Sequence, residues 1–208
     1  MKDGFQETDI TAAFEAVRDH PLLRNVPSEA RLEGYLFPDT YQVGPSTSAE
    51  ELVRLMLDTF QKRVSEDPSI NAGITAQGLS FEQAVIIASI VQKEVPDYET
   101  QKTVAQVFLK RLKEGIPLGA DPTFRYAAAV EGGPSDPSNN SRYNTRKYTG
   151  LPPTAISNFN ISALKAVANP SSTDYLYFVA GDDKITRFSH TLAEHEALTR
   201  QHCTTLCN

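Results

Sequence analysis

The sequence predicts an α+β fold in which a central buried helix packs among amphipathic helices and a small antiparallel hairpin. Three observations support this class. Residues 84–91 are apolar almost without interruption, several other segments repeat apolar residues at helical spacing, and residues 174–189 contain two β-rich runs around Gly181. The regular alternation of strands and helices that is typical of a parallel sheet does not occur.

Length and composition indicate an ordinary globular chain. The 208 residues are 40% hydrophobic and 22% charged, and the formal net charge is −6. Nucleic-acid binders usually carry a basic surplus, which this chain lacks, so a nucleic-acid partner is not expected. No segment approaches the roughly 18 apolar residues that a membrane span needs. Cys203 and Cys207 indicate free thiols or one local disulfide, because a structural zinc site needs about four ligands.

Two parts are expected along the chain. Residues 1–30 form an N-terminal helical segment around "TDITAAFEAVRDH", and residues 31–208 form the main domain. The stretch "RLEGYLFPDTYQVGP", at residues 31–45, is rich in aromatics and proline and predicts strands and a turn. Residues 47–67, 97–115, 162–170 and 191–202 predict helices. Residues 115–158 contain six prolines and predict a long, functional loop region.

The most informative segment is "GLSFEQAVIIASIVQKEVPD", at residues 78–97. Ser80 with Gln83 predicts a capping box at the start of a helix, and Pro96 predicts its end. The apolar run makes this helix buried. Ile87, Val91 and Glu94 follow the spacing i, i+4, i+7, so the Glu94 carboxylate continues an inward-facing stripe.

This position favours a neutral Glu94 carboxyl. Burial disfavours the anion, and so do the free carbonyls of the last helical turn, so both effects raise the pKa. A carboxyl that is partly protonated near neutral pH suits a general acid. The alternative is a solvated surface glutamate, or one paired with Lys93 or Lys102.

Five blocks of the sequence resemble one family. They are "EGYLFPDTY" (33–41), "IIASIVQKE" (86–94), "VAQVFLKRLKEGIPLGADPT" (104–123), "YNT" with "GLPP" (143–153) and "YLYFVA" (175–180). In this order they resemble the YceG-like, or MltG, family of endolytic murein transglycosylases, over about residues 30 to 200.

The resemblance implies a lytic transglycosylase that cuts MurNAc-β-1,4-GlcNAc bonds in peptidoglycan and leaves 1,6-anhydro-MurNAc ends, without metal or cofactor. It implies action at the outer face of the cytoplasmic membrane, cell-wall synthases as partners, and termination of strand elongation. Family members carry a membrane anchor and a LysM-like subdomain, and this chain is expected to be the catalytic domain alone. We expect it to be soluble and monomeric, with no nucleic-acid partner.

The resemblance also implies roles for individual residues. The catalytic glutamate of the family corresponds to Glu94, while Gln92 stands where the family has another glutamate, and Phe159-Asn160 departs from the usual turn. The substrate-binding candidates are Glu33, Tyr35, Phe37, Asp121, Thr123, Tyr143, Asn144, Thr145, Leu151 and Pro152. For the aromatic residues, the alternative is a place in the core, and for Asp121 and Thr123 it is the start of a helix.

Two other functions remain open from the sequence. One is a non-catalytic glycan-binding or scaffold module of the cell-wall synthesis machinery. The other is a muramidase in which Glu99 or Asp121 positions water for hydrolysis. The histidines lie in no nucleophile motif such as G-x-S-x-G, so a serine hydrolase is not expected.

Overall fold

The computed structural model describes residues 4–28 and 30–205, and these form a mixed α+β structure with mostly helical content. The helices are α1 (Glu7–Ala16), α2 (Ala49–Ser65), α3 (Pro68–Ala76), α4 (Phe81–Glu94), α5 (Tyr98–Glu114), α6 (Asp121–Glu131), α7 (Ile161–Ala168) and α8 (Leu192–His202), with a short 3-10 turn at Pro21–Leu23. The strands β1 (Tyr177–Ala180) and β2 (Thr186–Ser189) pair antiparallel, with Tyr177 opposite Ser189. The predicted fold class is confirmed.

Helix α4 lies at the centre of the packing, as predicted. Ser80 and Gln83 form the reciprocal capping box at its start. Ile87, Ile90 and Val91 are fully buried. The helix packs against α5 and α7, and α7 also covers α3. The core is therefore built around the helix that ends at Glu94.

The connection after α4 fixes where the helix stops. Val95 has extended backbone angles, which end the helix. The buried amide of Gln101 donates a hydrogen bond of 3.0 Å to the Val95 carbonyl, and Asp97 caps α5 through the Thr100 N–H. The last turn of α4 is thus held against the first turns of α5.

A close approach between α3 and α7 depends on Gly73. A Cβ atom at this position would lie 2.4 Å from the carbonyl oxygen of Ala168. No side chain fits at that distance, so the glycine lets the two helices pack backbone to backbone. Helix α3 was not anticipated from the sequence.

Two sequence predictions are wrong. Residues 31–45 form turns and irregular structure rather than strands, because this segment pairs with neither strand of the described two-stranded sheet. Residues 115–158 are not all loop, since α6 occupies Asp121–Glu131. Pro122 at its first turn favours this helix start, because proline has no N–H to leave unpaired there.

The remaining parts agree with the sequence or lie outside the described residues. Helix α1 packs on α2, and Ala13 and Val17 belong to the same core cluster as α4. Cys203 is buried and disulfide-bonded, while Cys207 lies outside the described residues. In the part of the chain that is described, no single helix meets the length and apolarity of a membrane span, although α3 and α4 together do so across a 99° bend.

Candidate active site

The Glu94 carboxyl lies in a cavity of about 500 Å³ that is formed between the ends of several elements. Helix α4 contributes Lys93 and Glu94, α6 contributes Asp121 and its neighbours, and β1 and α8 close the opposite side. Neither carboxyl oxygen of Glu94 has a hydrogen-bond partner among the described residues. The group is therefore free to contact a ligand.

The electrostatic setting raises the pKa of Glu94 to about 7. Burial of the carboxyl is the largest cause, and the negative charge of Asp121 adds to it. The positive charges of Arg146 and Arg125 act in the opposite direction and lower the pKa. The side chain still keeps some exposed surface toward the cavity. At neutral pH the carboxyl therefore exists in comparable amounts as acid and as base.

Asp121 stands at the first position of α6 and is engaged by arginines. Its carboxylate accepts a hydrogen bond from Arg146 Nε, and Arg125 Nη2 lies 3.9 Å from the other carboxylate oxygen. Asp121, Arg125 and Arg146 all line the cavity, so the predicted site residue Asp121 does lie beside Glu94.

Thr123 and Thr145 are brought together, but as buried structural residues. Their hydroxyl groups share a hydrogen bond of 3.0 Å, and Thr145 Oγ1 also accepts the Ala120 N–H at 3.1 Å. Both are essentially inaccessible to a ligand. These bonds attach the loop around Thr145 to the start of α6 and thereby place Asp121 and Arg146 near each other. Their burial favours a structural role over direct contact with the substrate.

Asn144 also has a structural place. Its side-chain amide is fully buried and donates to the carbonyls of Pro137 and Asn139, at 2.9 and 2.7 Å. Its side-chain oxygen accepts the Arg146 N–H at 3.1 Å. Because the side-chain nitrogen and oxygen of Asn144 both bond within the loop, the geometry favours a role in positioning Arg146 over a contact with a sugar.

Glu33 and Tyr143 lie near a second cavity of about 320 Å³, which shares Lys93, Pro122 and Arg125 with the first. This second cavity is lined by Tyr126, whose ring packs edge-on against Tyr143 at 5.0 Å. Burial and then the Glu33 charge raise the pKa of Tyr126. The Tyr143 hydroxyl bonds Thr154 at 2.6 Å. Tyr126 therefore lines the second cavity itself, while Glu33 acts on the pKa of its hydroxyl and Tyr143 packs against its ring.

Tyr35 and Phe37 are buried in the core, which favours the core alternative for these aromatic residues over platforms for sugar rings. They are 5% and 8% exposed, and both pack on Phe60, edge-on at 6.4 Å and stacked at 6.1 Å. Burial raises the pKa of the Tyr35 hydroxyl. Leu151 is partly buried against the core and Pro152 is buried, and neither lines the two cavities described here.

The end of α4 is connected to the core by the two departures from the family pattern, Gln92 and Phe159-Asn160. Gln92 Oε1 accepts the Asn160 N–H at 2.9 Å, which satisfies a backbone donor at the start of α7. Phe159 packs edge-on against Phe60 at 5.7 Å. Asn158 Oδ1 accepts the Gly34 N–H at 2.8 Å. This segment therefore contacts α4 two residues before Glu94 and helps to hold the end of the helix.

Sequence reasoning missed the wall opposite α6. Arg111 lies over the Tyr177 ring at 4.9 Å, and that ring stacks on His195 at 5.5 Å. All three line the Glu94 cavity. Burial first, and then Arg111, lower the pKa of His195. Arg111 and Tyr177 fall within the matching blocks, but nothing in a linear pattern shows that α5, β1 and α8 converge on one cavity.

Comparison with known proteins agrees with this architecture. The model of the YceG-like family matches residues 2–201. The chain is 33% identical over 199 residues to a Bacillus subtilis protein named endolytic murein transglycosylase, covering 94% of this chain and 52% of that protein. A protein of the same name from Streptococcus pneumoniae serotype 2 is 31% identical over 216 residues, covering 96% and 38% respectively.

A solved structure gives the same result for the fold. A YceG-like protein of Listeria monocytogenes, determined at 2.6 Å, superposes with a TM-score of 0.79 and 31% identity, over 93% of this chain and 68% of that one. The chain spans about half the length of the B. subtilis relative and less of the streptococcal one. The fold, the matched range and these relatives together show that the chain belongs to the YceG-like family.

Proposed function

We propose that this chain is the catalytic domain of an endolytic peptidoglycan lytic transglycosylase. The observation that carries this proposal is a single carboxyl group, Glu94, which ends a buried helix inside a cavity and has a pKa raised to about 7. Relatives named endolytic murein transglycosylase supply the substrate class. The bond cut is MurNAc-β-1,4-GlcNAc, and the product ends are 1,6-anhydro-MurNAc.

One carboxyl group suffices for this reaction. Protonated Glu94 donates its proton to the glycosidic oxygen as the bond to C1 breaks, and the GlcNAc end leaves as an alcohol. The carboxylate that results then accepts the proton of the MurNAc 6-hydroxyl as that oxygen bonds to C1. The nucleophile belongs to the substrate, so the ring closure has the advantage of an intramolecular attack. Glu94 ends the cycle protonated again.

The surroundings of Glu94 suit both steps. A pKa near neutrality lets the same group act as acid and then as base with little cost in either direction. The carboxyl makes no hydrogen bond to a described residue that would hold it away from the glycosidic oxygen.

A muramidase is the second candidate, and the carboxylates around the site favour it less. Hydrolysis needs a second carboxylate that activates water or attacks the sugar. Asp121 is near, but Arg146 and Arg125 engage its oxygens. Glu99 is 73% exposed, pairs with Lys102 at 2.7 Å and does not line the cavity. The position of these carboxylates supports the transglycosylase.

Digestion of purified peptidoglycan tests the proposal. Mass spectrometry of the products should find anhydro-MurNAc ends with the native protein and none with Glu94→Gln, which keeps the size of the side chain but cannot exchange a proton. Glu99→Gln is the matched control and should cleave normally. Reducing MurNAc ends would identify a muramidase, and intact strands with a folded native protein would indicate a binding or scaffold module.

We also propose the cellular setting that the family resemblance implies. The domain acts as a monomer at the outer face of the cytoplasmic membrane, beside cell-wall synthases, and its cuts terminate strand elongation. The peptidoglycan named in its relatives supports this placement. Cell fractionation tests the location, and cross-linking tests the contact with synthases. The length distribution of glycan strands in a deletion mutant tests the termination of elongation.

A further inference from the structure

The cavity around Glu94 carries more positive than negative charge, although the whole chain has a net charge of −6. Four basic residues line it against two acidic ones: Lys93, Arg111, Arg125 and Arg146 against Glu94 and Asp121. Protonation of Glu94 increases the positive surplus further. A surplus of this kind at a concave site attracts anionic ligands.

Two of these cations have no counter-ion among the described residues. Arg146 and Arg125 face Asp121. Among the described residues, no carboxylate oxygen lies within 4.0 Å of the Arg111 or Lys93 nitrogens. Arg111 is partly buried, and a charge that is partly removed from bulk water without a partner is unfavourable. A ligand that supplies the missing negative charge therefore gains affinity.

Arg111 is a rigid donor within the cavity. Its Nε donates to the Leu176 carbonyl at 2.8 Å, and its Nη1 donates to the Leu118 carbonyl at 2.7 Å. The Tyr177 ring supports the guanidinium at 4.9 Å. Its Nη2 has no hydrogen-bond partner in the described part of the chain. Carbonyl dipoles hold the cation in place and leave one amino group available for a carboxylate.

Lys93 supplies the second cation of the cavity lining. It precedes Glu94 in the last turn of α4, is exposed, and lines both cavities. Its ammonium group can therefore contact a ligand that occupies either cavity. The cavity of Glu94 is thus lined by one cation that hydrogen bonds hold in place and by one that is exposed.

We propose that this cavity selects glycan strands that carry carboxylate groups, with Arg111 as a fixed donor and Lys93 as a flexible one. The proposal rests on the function proposed above, since the ligand is a murein strand. Such carboxylates have two sources: the stem peptides, and the lactyl group of MurNAc that is exposed when the peptide is removed. Both offer the same chemistry to an arginine and a lysine.

Binding experiments test this selection separately from cleavage. All variants carry Glu94→Gln, so that strands remain intact during the measurement. The ligands are soluble strands with stem peptides, the same strands after amidase treatment, and strands whose carboxylates have been converted to neutral methylamides. Lys93→Gln is compared with Lys113→Gln, an exposed lysine in the last turn of α5 that lies outside the cavity.

We expect Lys93→Gln to weaken the binding of carboxylate-bearing strands about three- to tenfold. Lys113→Gln should leave the Kd unchanged. The methylamide strands should bind more weakly to the parent protein, and they should not distinguish the two lysine variants. The loss of affinity caused by Lys93→Gln should shrink at about 0.5 M salt, where charges are screened over a few ångströms. An effect with only one kind of anionic strand identifies which carboxylate is bound.

Several outcomes would overturn the selection. Equal affinity for anionic and methylamide strands would do so, as would equal effects of the two lysine substitutions. Arg111→Gln should weaken binding more than Lys93→Gln, with thermal unfolding as the check on its folding, since Arg111 also bonds carbonyls. If anionic strands bind as expected but the native protein releases no anhydro ends, the function proposed above fails while the binding site stands.

Discussion

Replacing Glu94 with glutamine should stabilise the fold, and the gain should depend on pH. Burial keeps the Glu94 carboxyl neutral up to a pKa of about 7, whereas its ordinary value is 4.5. Between these two values the folded state binds a proton that the unfolded state has released. The free energy of unfolding therefore falls as pH rises through this window. Glutamine has no proton to release, so its variant escapes this loss.

The size of the effect follows from the two pKa values. Each pH unit within the window is equivalent to about 1.4 kcal/mol, so the interval from 4.5 to about 7 gives about 3 kcal/mol. The partial exposure of Glu94 to the cavity makes this an upper figure. For a chain of this size, about 3 kcal/mol raises the melting temperature by roughly 6–12 °C.

Urea unfolding of the native protein and of Glu94→Gln, at about pH 4 and about pH 8, measures the difference in their free energies of unfolding. We expect the gain of the glutamine variant to be larger at the higher pH by up to about 3 kcal/mol. Titrations of other groups cancel because they are common to both proteins. Glu99→Gln, at an exposed position, should show no such pH dependence. An equal gain at both pH values would refute a raised pKa at Glu94.

Three further perturbations have defined outcomes. Asp121→Asn removes a charge that raises the pKa of Glu94, so the basic limb of the pH–activity profile should move to lower pH, as initial rates would show. Gln92→Glu should leave activity within about tenfold, because a carboxylate still accepts the Asn160 N–H, and a loss of several orders of magnitude would contradict this. Phe60→Ala should destabilise the protein by about 3–5 kcal/mol in urea unfolding, since four aromatic rings pack on Phe60; a loss below about 1 kcal/mol would show that the core collapses around the cavity.

The sequence was most informative where one local pattern determines one element. The capping box of Ser80 and Gln83, the apolar run and Pro96 together predict helix α4 with its observed bounds, Phe81–Glu94. The stripe through Ile87 and Val91 also placed the Glu94 carboxyl on the inward side. These inferences succeed because helix periodicity and capping act within a few residues along the chain.

The sequence was least informative where structure depends on distant partners. Residues 31–45 have the composition of strands, but a strand forms only beside another edge, and the aromatic side chains of Tyr35 and Phe37 pack on Phe60 instead. Thr145 looks like a polar substrate contact, yet its hydroxyl is used by Ala120. Whether such residues contact the core or the substrate depends on segments that are distant in the sequence.

The Glu94 side chain is oriented by the burial of neighbouring apolar residues and not by hydrogen bonds to its own carboxyl. No described residue hydrogen-bonds the Glu94 carboxyl, so its aim comes from the register of α4, which Ile87 and Val91 fix by being fully buried. A helix turns by about 100° per residue, and a slip of one residue would move the carboxyl out of the cavity. Gln92 and the Gln101–Val95 bond resist that slip at the end of the helix. A charged partner could orient Glu94 as well, but it would lower the pKa. Because packing orients Glu94 without a charged partner, its carboxyl can still hold a proton.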